Sequence, residues 1–126
     1  MRFMMIMIPG HLDEANWTPN AEAVAAMGKF NDALTKAGAL LALDGLHPSS
    51  KGARVSFAGG RGTVTDGPFS EAKEIVGGYW LIQAKSKEEA VEWASRCPAA
   101  DGDVIEVRQV YEMSDFPPEV QAAAGY

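Results

Sequence analysis

Cysteine occurs once in the 126 residues, at Cys97. A lone thiol cannot close a disulfide within the chain, and it falls short of a thiolate zinc site. Histidine is nearly as scarce, with only His11 and His47. There is no HExxH spacing, phosphate loop, dinucleotide fingerprint or serine-hydrolase elbow, so no metal and no cofactor is expected. Positive charge is short too. Lys plus Arg number 11 against 17 Asp plus Glu, a net charge of −6. Nucleic-acid modules need a basic face, and anionic lipid attracts polybasic segments, so neither partner is expected. Long apolar runs are missing. The first, Phe3 to Ile8, stops at Pro9-Gly10, too short for a membrane span and without the cleavage pattern of a signal peptide. The sequence predicts a cytoplasmic protein.

What is present reads as one domain with an ordinary globular balance, 47% hydrophobic and 22% charged. Phe3 to Ile8 reads as a buried strand. Thr18-Pro19 fits a helix cap followed by proline at the first helical position. Ala23, Met27, Phe30, Leu34 and Ala37 then share one helical face up to Gly38. Ala39 to Leu46 is a second apolar run, interrupted by Asp44-Gly45. Arg54 to Phe57 and Thr63 to Thr65 form a hairpin about Gly59-Gly60. Asp66-Gly67-Pro68-Phe69 is a tight turn, and Gly77 to Ala84 has strand composition. Ser86 and Glu89 make a capping box for a helix that presents Ala90, Trp93, Ala94 and Cys97 on one side. In the last strand, Val104 to Met113, Val104, Glu106 and Arg108 alternate with Ile105 and Val107.

The order is β-α-β, an inserted hairpin, then β-α-β. This is the ferredoxin-like α+β pattern with an antiparallel sheet. Two helices cover one face only. The other face, expected to carry Met5, Ile82 or Val107, would meet water as a large apolar patch. The sequence therefore predicts a homodimer, with two sheets closing an α+β barrel between subunits. Residues 1–113 form that domain, and 114–126 a frayed tail or short arm.

The stretch Thr63-Val64-Thr65-Asp66-Gly67-Pro68-Phe69-Ser70-Glu71-Ala72-Lys73-Glu74 resembles the signature of the YCII-related family, in its DGPF branch. Gly77-Gly78-Tyr79-Trp80, the capped helix Ser86 to Arg96, Ile105-Glu106-Val107-Arg108 and Leu46-His47-Pro48 match further parts of the same pattern. The resemblance runs from Arg2 to about Met113. It implies the dimeric α+β barrel, and small enzymes with a His-Asp pair in a pocket among the wider relatives. It also implies a regulatory setting, because some DGPF proteins are encoded beside extracytoplasmic-function sigma factors. It assigns no substrate.

Two residues carry the candidate chemistry. His47 ends a strand, and Pro48 forces a sharp exit that can leave the imidazole protruding into a cleft. Asp66, across the hairpin, is the carboxylate that would orient it for general acid–base work. The competing readings are a turn histidine and an aspartate spent on its own turn. Arg54, Glu71, Lys73, Tyr79 and Trp80 are candidate ligand-binding residues. Arg54 and Arg108 offer guanidinium forks to an anion. Glu71 and Lys73 share a strand face, with Glu74 opposite, and either hold a polar ligand or solvate a dimer rim. Tyr79 and Trp80 point to opposite faces, one towards the barrel interior and one towards the helices. They serve as aromatic packing or as the lining of an apolar pocket. Met4, Met5 and Met7 read as core or interface filler, and Cys97 as a buried small hydrophobe.

Two functions follow as expectations. One is a small cofactor-independent enzyme that moves a proton on a small metabolite, isomerase- or lyase-like, with His47 as acid or base and Asp66 as its partner. The other is a non-catalytic ligand-binding or regulatory dimer linked to sigma-factor transcription control.

Overall fold

The computed structural model describes residues 1–10, 18, 20–69 and 75–125. Four strands, β1 (Arg2–Ile8), β2 (Leu40–Gly45), β5 (Gly78–Gln83) and β6 (Val104–Gln109), form an antiparallel sheet in the order β2-β5-β1-β6. Among the described residues, the two strands of the inserted hairpin, β3 (Ala53–Ala58) and β4 (Arg61–Asp66), pair only with each other. With α1 (Ala21–Lys36) and α2 (Lys87–Ser95) on the sheet, the fold is ferredoxin-like and α+β. No helix among the described residues is long and apolar enough to cross a membrane.

The helices start and stop for local reasons. The α1 cap is Asn20, whose Oδ1 accepts from the Ala23 N–H at 2.7 Å. This corrects the expected Thr18-Pro19 start. An amide oxygen caps as well as a hydroxyl, and Asn20 stands next to the first periodic turn. At the other end Gly38 takes φ +70°, which only glycine adopts freely. Of the expected apolar stripe, Phe30 and Leu34 are buried and Met27 packs on the core, while Ala23 and Ala37 are exposed.

The Ser86 hydroxyl caps α2 by accepting from the Glu89 N–H at 3.2 Å. Glu89 reaches back to the N–H of Lys85 rather than to that of Ser86, one residue beyond the usual box. Ala90 is buried, and Trp93, Ala94 and Cys97 pack on the core.

The core lies between sheet and helices: Phe3 and Met5 from β1, Trp80 and Ile82 from β5, Phe30 and Leu34 from α1, and Ala90 from α2. Phe30 meets the Trp80 ring edge-on, with centroids 5.8 Å apart. The Trp80 indole N–H is not wasted: it donates to Asn31 Oδ1 at 2.9 Å.

This packing corrects the expected sidedness. Met5 and Ile82 are fully buried beneath the helices, and Val107 packs against the same core. The other face, which no described helix covers, carries the other parity. Register alignment lays Asp44, Tyr79, Ile6 and Glu106 in one row across it, and Ala42, Leu81, Met4 and Arg108 in the next.

The last strand ends at Gln109, short of the expected Met113. After the Val110 N–H bonds to the Arg2 carbonyl, the chain turns at Met113–Asp115 and enters α3 (Pro118–Ala123). A forked ion pair from Arg2 to Glu112, at 2.7 and 3.1 Å, ties the start of this arm to β1.

Cys97 lies past the end of α2. Burial, and then the nearby Asp103 carboxylate, push its thiol from the ordinary 9.0 up to about 11. Alkylation of the folded chain at pH 8 is therefore expected to run about a hundredfold slower than that of a free thiol, because only the thiolate reacts. The folded thiol holds its proton more tightly than the unfolded one. Stability should thus fall as pH rises from about 9 to about 11. Alkylation at an ordinary rate before unfolding would contradict this burial.

Candidate functional site

Two loops meet beside the end of β2. His47 follows that strand, and Pro48 leads into a 3-10 turn at Ser49–Lys51. The hairpin then returns to Asp66-Gly67-Pro68-Phe69, whose Gly67-Pro68 bond is cis. The Gly67 N–H donates to the Gly52 carbonyl at 3.0 Å. A Cβ on Gly67 would collide with the Ser49 carbonyl oxygen. Glycine is required here for close approach of two backbones.

The structure thus brings the His47 loop against the Asp66 turn. It does not pair the two side chains. Both residues are exposed, and among the described residues neither side chain has a hydrogen-bond or ion-pair partner. Asp66 is also not consumed by capping its own turn.

Arg54, on β3, stacks its guanidinium over the Phe69 ring at 3.9 Å from the centroid. This fixes the base of the hairpin against the turn. Glu71, Lys73 and Glu74 lie outside the described residues.

Tyr79 and Trp80 do point to opposite faces of β5. Trp80 enters the helix-side core, and Tyr79 stands on the uncovered face. The Tyr79 hydroxyl donates to Asp44 Oδ2 at 2.9 Å. That hydrogen bond, and then the Asp44 charge, raise the phenol above its ordinary 10.0. It therefore keeps its proton, which it donates to Asp44.

At the opposite edge of the same row stands Glu106, 3.7 Å from Arg108. The uncovered face is thus an apolar strip, Ile6, Met4 and Leu81, with a Tyr-Asp pair at one edge and a Glu-Arg pair at the other. Asp44 and Glu106 were not among the expected site residues. The signal for Asp44 was its interruption of an apolar run, and for Glu106 its place in the β6 alternation.

A separate open groove of about 480 Å³ runs between α2 and the β6 edge, lined by Val91, Ala94, Ile105 and Val107 with Lys87 and Asp103. None of the expected site residues that the structure describes lines it.

The model of the YCII-related domain matches residues 1–114. The chain belongs to the YCII-related family. The match takes in both the uncovered face and the two-loop joint of this YCII-related domain, and stops just before α3. A comparison with curated proteins finds no match.

Proposed function

We propose that this YCII-related chain is a small-molecule-binding homodimer. Two uncovered sheet faces join and enclose a chamber. The observation that carries this reading is the row Asp44, Tyr79, Ile6, Glu106: polar groups at both edges of an apolar strip that a single copy leaves open. Apolar walls with a few placed polar groups are what a small polar or aromatic metabolite needs. The Tyr79 hydroxyl, its proton held on Asp44, offers its oxygen as an acceptor, Asp44 and Glu106 accept through their remaining lone pairs, and Arg108 takes an anionic group. A cytoplasmic setting fits the lone, half-buried thiol.

A second reading, proton-transfer catalysis by His47 with Asp66, is favoured by the abutting loops at Ser49 and Gly67. A substrate seated between them would take the place of the missing His47–Asp66 bond. Imidazole would remove a proton from one carbon and return it to another, with no net change in electrons.

One experiment separates the two readings. Metabolites are screened by thermal shift, and each hit is then incubated with protein in D2O and followed by NMR. A bound ligand should raise the Tm by mass action, and Tyr79→Phe should weaken that shift. If His47 is the acid–base group, a ligand C–H will exchange for deuterium, and His47→Ala will slow this by about a hundredfold or more. Binding without exchange removes the catalytic reading and leaves the binding one. A panel with no stabilising ligand, together with a monomeric chain, overturns both.

A further inference from the structure

The sheet ends on β6, and among the described residues no strand pairs with its outer side. One bond fixes the direction of its backbone groups. The Val110 N–H donates to the Arg2 carbonyl, so Val110 and every second residue before it turn their N–H and C=O towards β1. Ile105, Val107 and Gln109 therefore aim theirs outward. Among the described residues, none of these outward groups bonds to another part of the backbone. A border of this kind is a template for a further strand.

The helix side of the same border is open as well. α2 packs on β6 and on β1 but is set back from the border. The groove of about 480 Å³ lies in that gap, along Val91, Ala94, Ile105 and Val107. Val91 is 44% exposed, and Ile105 and Val107 are only partly buried.

The sequence of β6 complements itself. In an antiparallel pair of two β6 strands centred on Val107, Val107 meets its own copy and Glu106 meets Arg108. Ile105 then meets Gln109, and Val104 meets Val110. Glu106 and Arg108 turn their backbone groups towards β1, so across the join they form a pair without backbone bonds between them. In that type of pair the side chains stand closest. Within one copy the same two charges approach only to 3.7 Å, and both are exposed.

Neighbouring registers fail. A two-fold pair keeps both helix layers on one face, so its centre falls on a residue. Centring on Glu106 opposes Glu106 to itself, and centring on Arg108 opposes Arg108 to itself, and like charges directly opposite repel. The Val107 centre also matches the ends of the groove. Ala84 bonds to the Met1 carbonyl and Val110 to that of Arg2, so Lys87, at the start of α2, lies at the Val110 end of β6. Asp103 lies at the other end. The two-fold axis brings the Lys87 end of one groove beside the Asp103 end of the next.

We propose that two copies join edge to edge through β6, centred on Val107, so that the sheet of each runs on into that of the other. Val91 and Val107 of each copy close the two grooves over the join, and Glu106 and Arg108 pair across it on the other face. This contact uses a border rather than the uncovered face, and it stands apart from the chamber proposed above. It is one six-residue strand long, a smaller contact than a whole sheet face. It therefore joins face-to-face pairs into tetramers only as concentration rises. Being two-fold, it occupies both β6 borders and admits no third copy there.

Sedimentation at rising concentration tests the contact. The unaltered chain should pass from dimer to tetramer. Glu106→Arg should raise the tetramer Kd about tenfold or more, because it sets arginine against arginine on both sides of the axis. Adding Arg108→Glu to that chain exchanges the two charges and should restore the tetramer. Gln109→Pro removes an outward N–H, leaves the bonds to β1 in place and should weaken the tetramer too. Leu81→Asp, which removes the face pairing, should leave an edge-joined dimer at the concentrations where the unaltered chain is a tetramer.

The register has its own readout in chains carrying Cys97→Ala and Leu81→Asp. Under mild oxidation, a mixture of Glu106→Cys and Arg108→Cys chains should link chiefly to each other. Predominant linkage of either chain to itself overturns the Val107 centre. A tetramer whose Kd Glu106→Arg leaves unchanged overturns the edge contact. So does a chain still dimeric at about 1 mM whose affinity Glu106→Arg leaves unchanged, and the face pairing then stands. A dimer that Glu106→Arg dissolves and Leu81→Asp does not keeps the edge contact and overturns the face pairing.

Discussion

The Leu81→Asp chain should sediment as a monomer at concentrations where the unaltered chain is a dimer, its dimer Kd raised at least a hundredfold. Leu81 sits mid-row on the uncovered face, between Ala42 and Met4. In a single copy an aspartate there meets water and costs little. Between two sheets it becomes an uncompensated carboxylate in an apolar layer, which costs several kcal/mol, about 3–5 by the usual measure of broken buried charge pairs. The fold of each copy should survive, and circular dichroism at low concentration checks this. A Leu81→Asp dimer of unchanged affinity would move the interface off this face.

Its neighbour should behave in the opposite way. Ile82→Ala is expected to cost about 2–5 kcal/mol of folding stability. Ile82 is fully buried, pairs across with Phe3 and Leu40, and shares the core with Trp80. Removing three of its carbons leaves a cavity that α1 and α2, already seated on the sheet, cannot collapse to fill. Urea titration with an unchanged m-value should report the loss as a lower midpoint. A cost below about 1 kcal/mol would mean the site relaxes freely, against the packing described. Two adjacent residues on β5 thus separate assembly from folding.

Those two residues also show where sequence reasoning stopped. The element order, the Gly59-Gly60 hairpin turn and the Ser86 cap were legible because each depends on a few neighbouring residues. Which face of the sheet is covered was not. In β1 both parities are apolar: Phe3, Met5 and Met7 on one side, Met4, Ile6 and Ile8 on the other. Alternation in such a strand has no phase to read. The structure sets the phase through Phe30, Leu34 and Ala90, which press on Met5 and Ile82 and leave Met4 and Leu81 open.

The candidate site divides in the same way. The Asp66-Gly67-Pro68-Phe69 turn stood out as a string of turn-forming residues. Its meeting with the His47 loop followed from the hairpin between them. The Tyr79–Asp44 bond depends on the β2–β5 register, which a bulge shifts between Leu40 and Ala42. No local pattern announces that shift. The Arg54 contact with Phe69 likewise joins residues whose side chains meet only through the hairpin's return.

The same bulge has a consequence for how far assembly can grow. β2 is one border of the sheet, and a border of free N–H and C=O groups invites a further strand. An irregular step between Leu40 and Ala42 breaks the even spacing that an added strand would have to match. The other border, β6, exposes Glu106 and Arg108. A chain so bounded resists lateral stacking of sheet on sheet into fibrils.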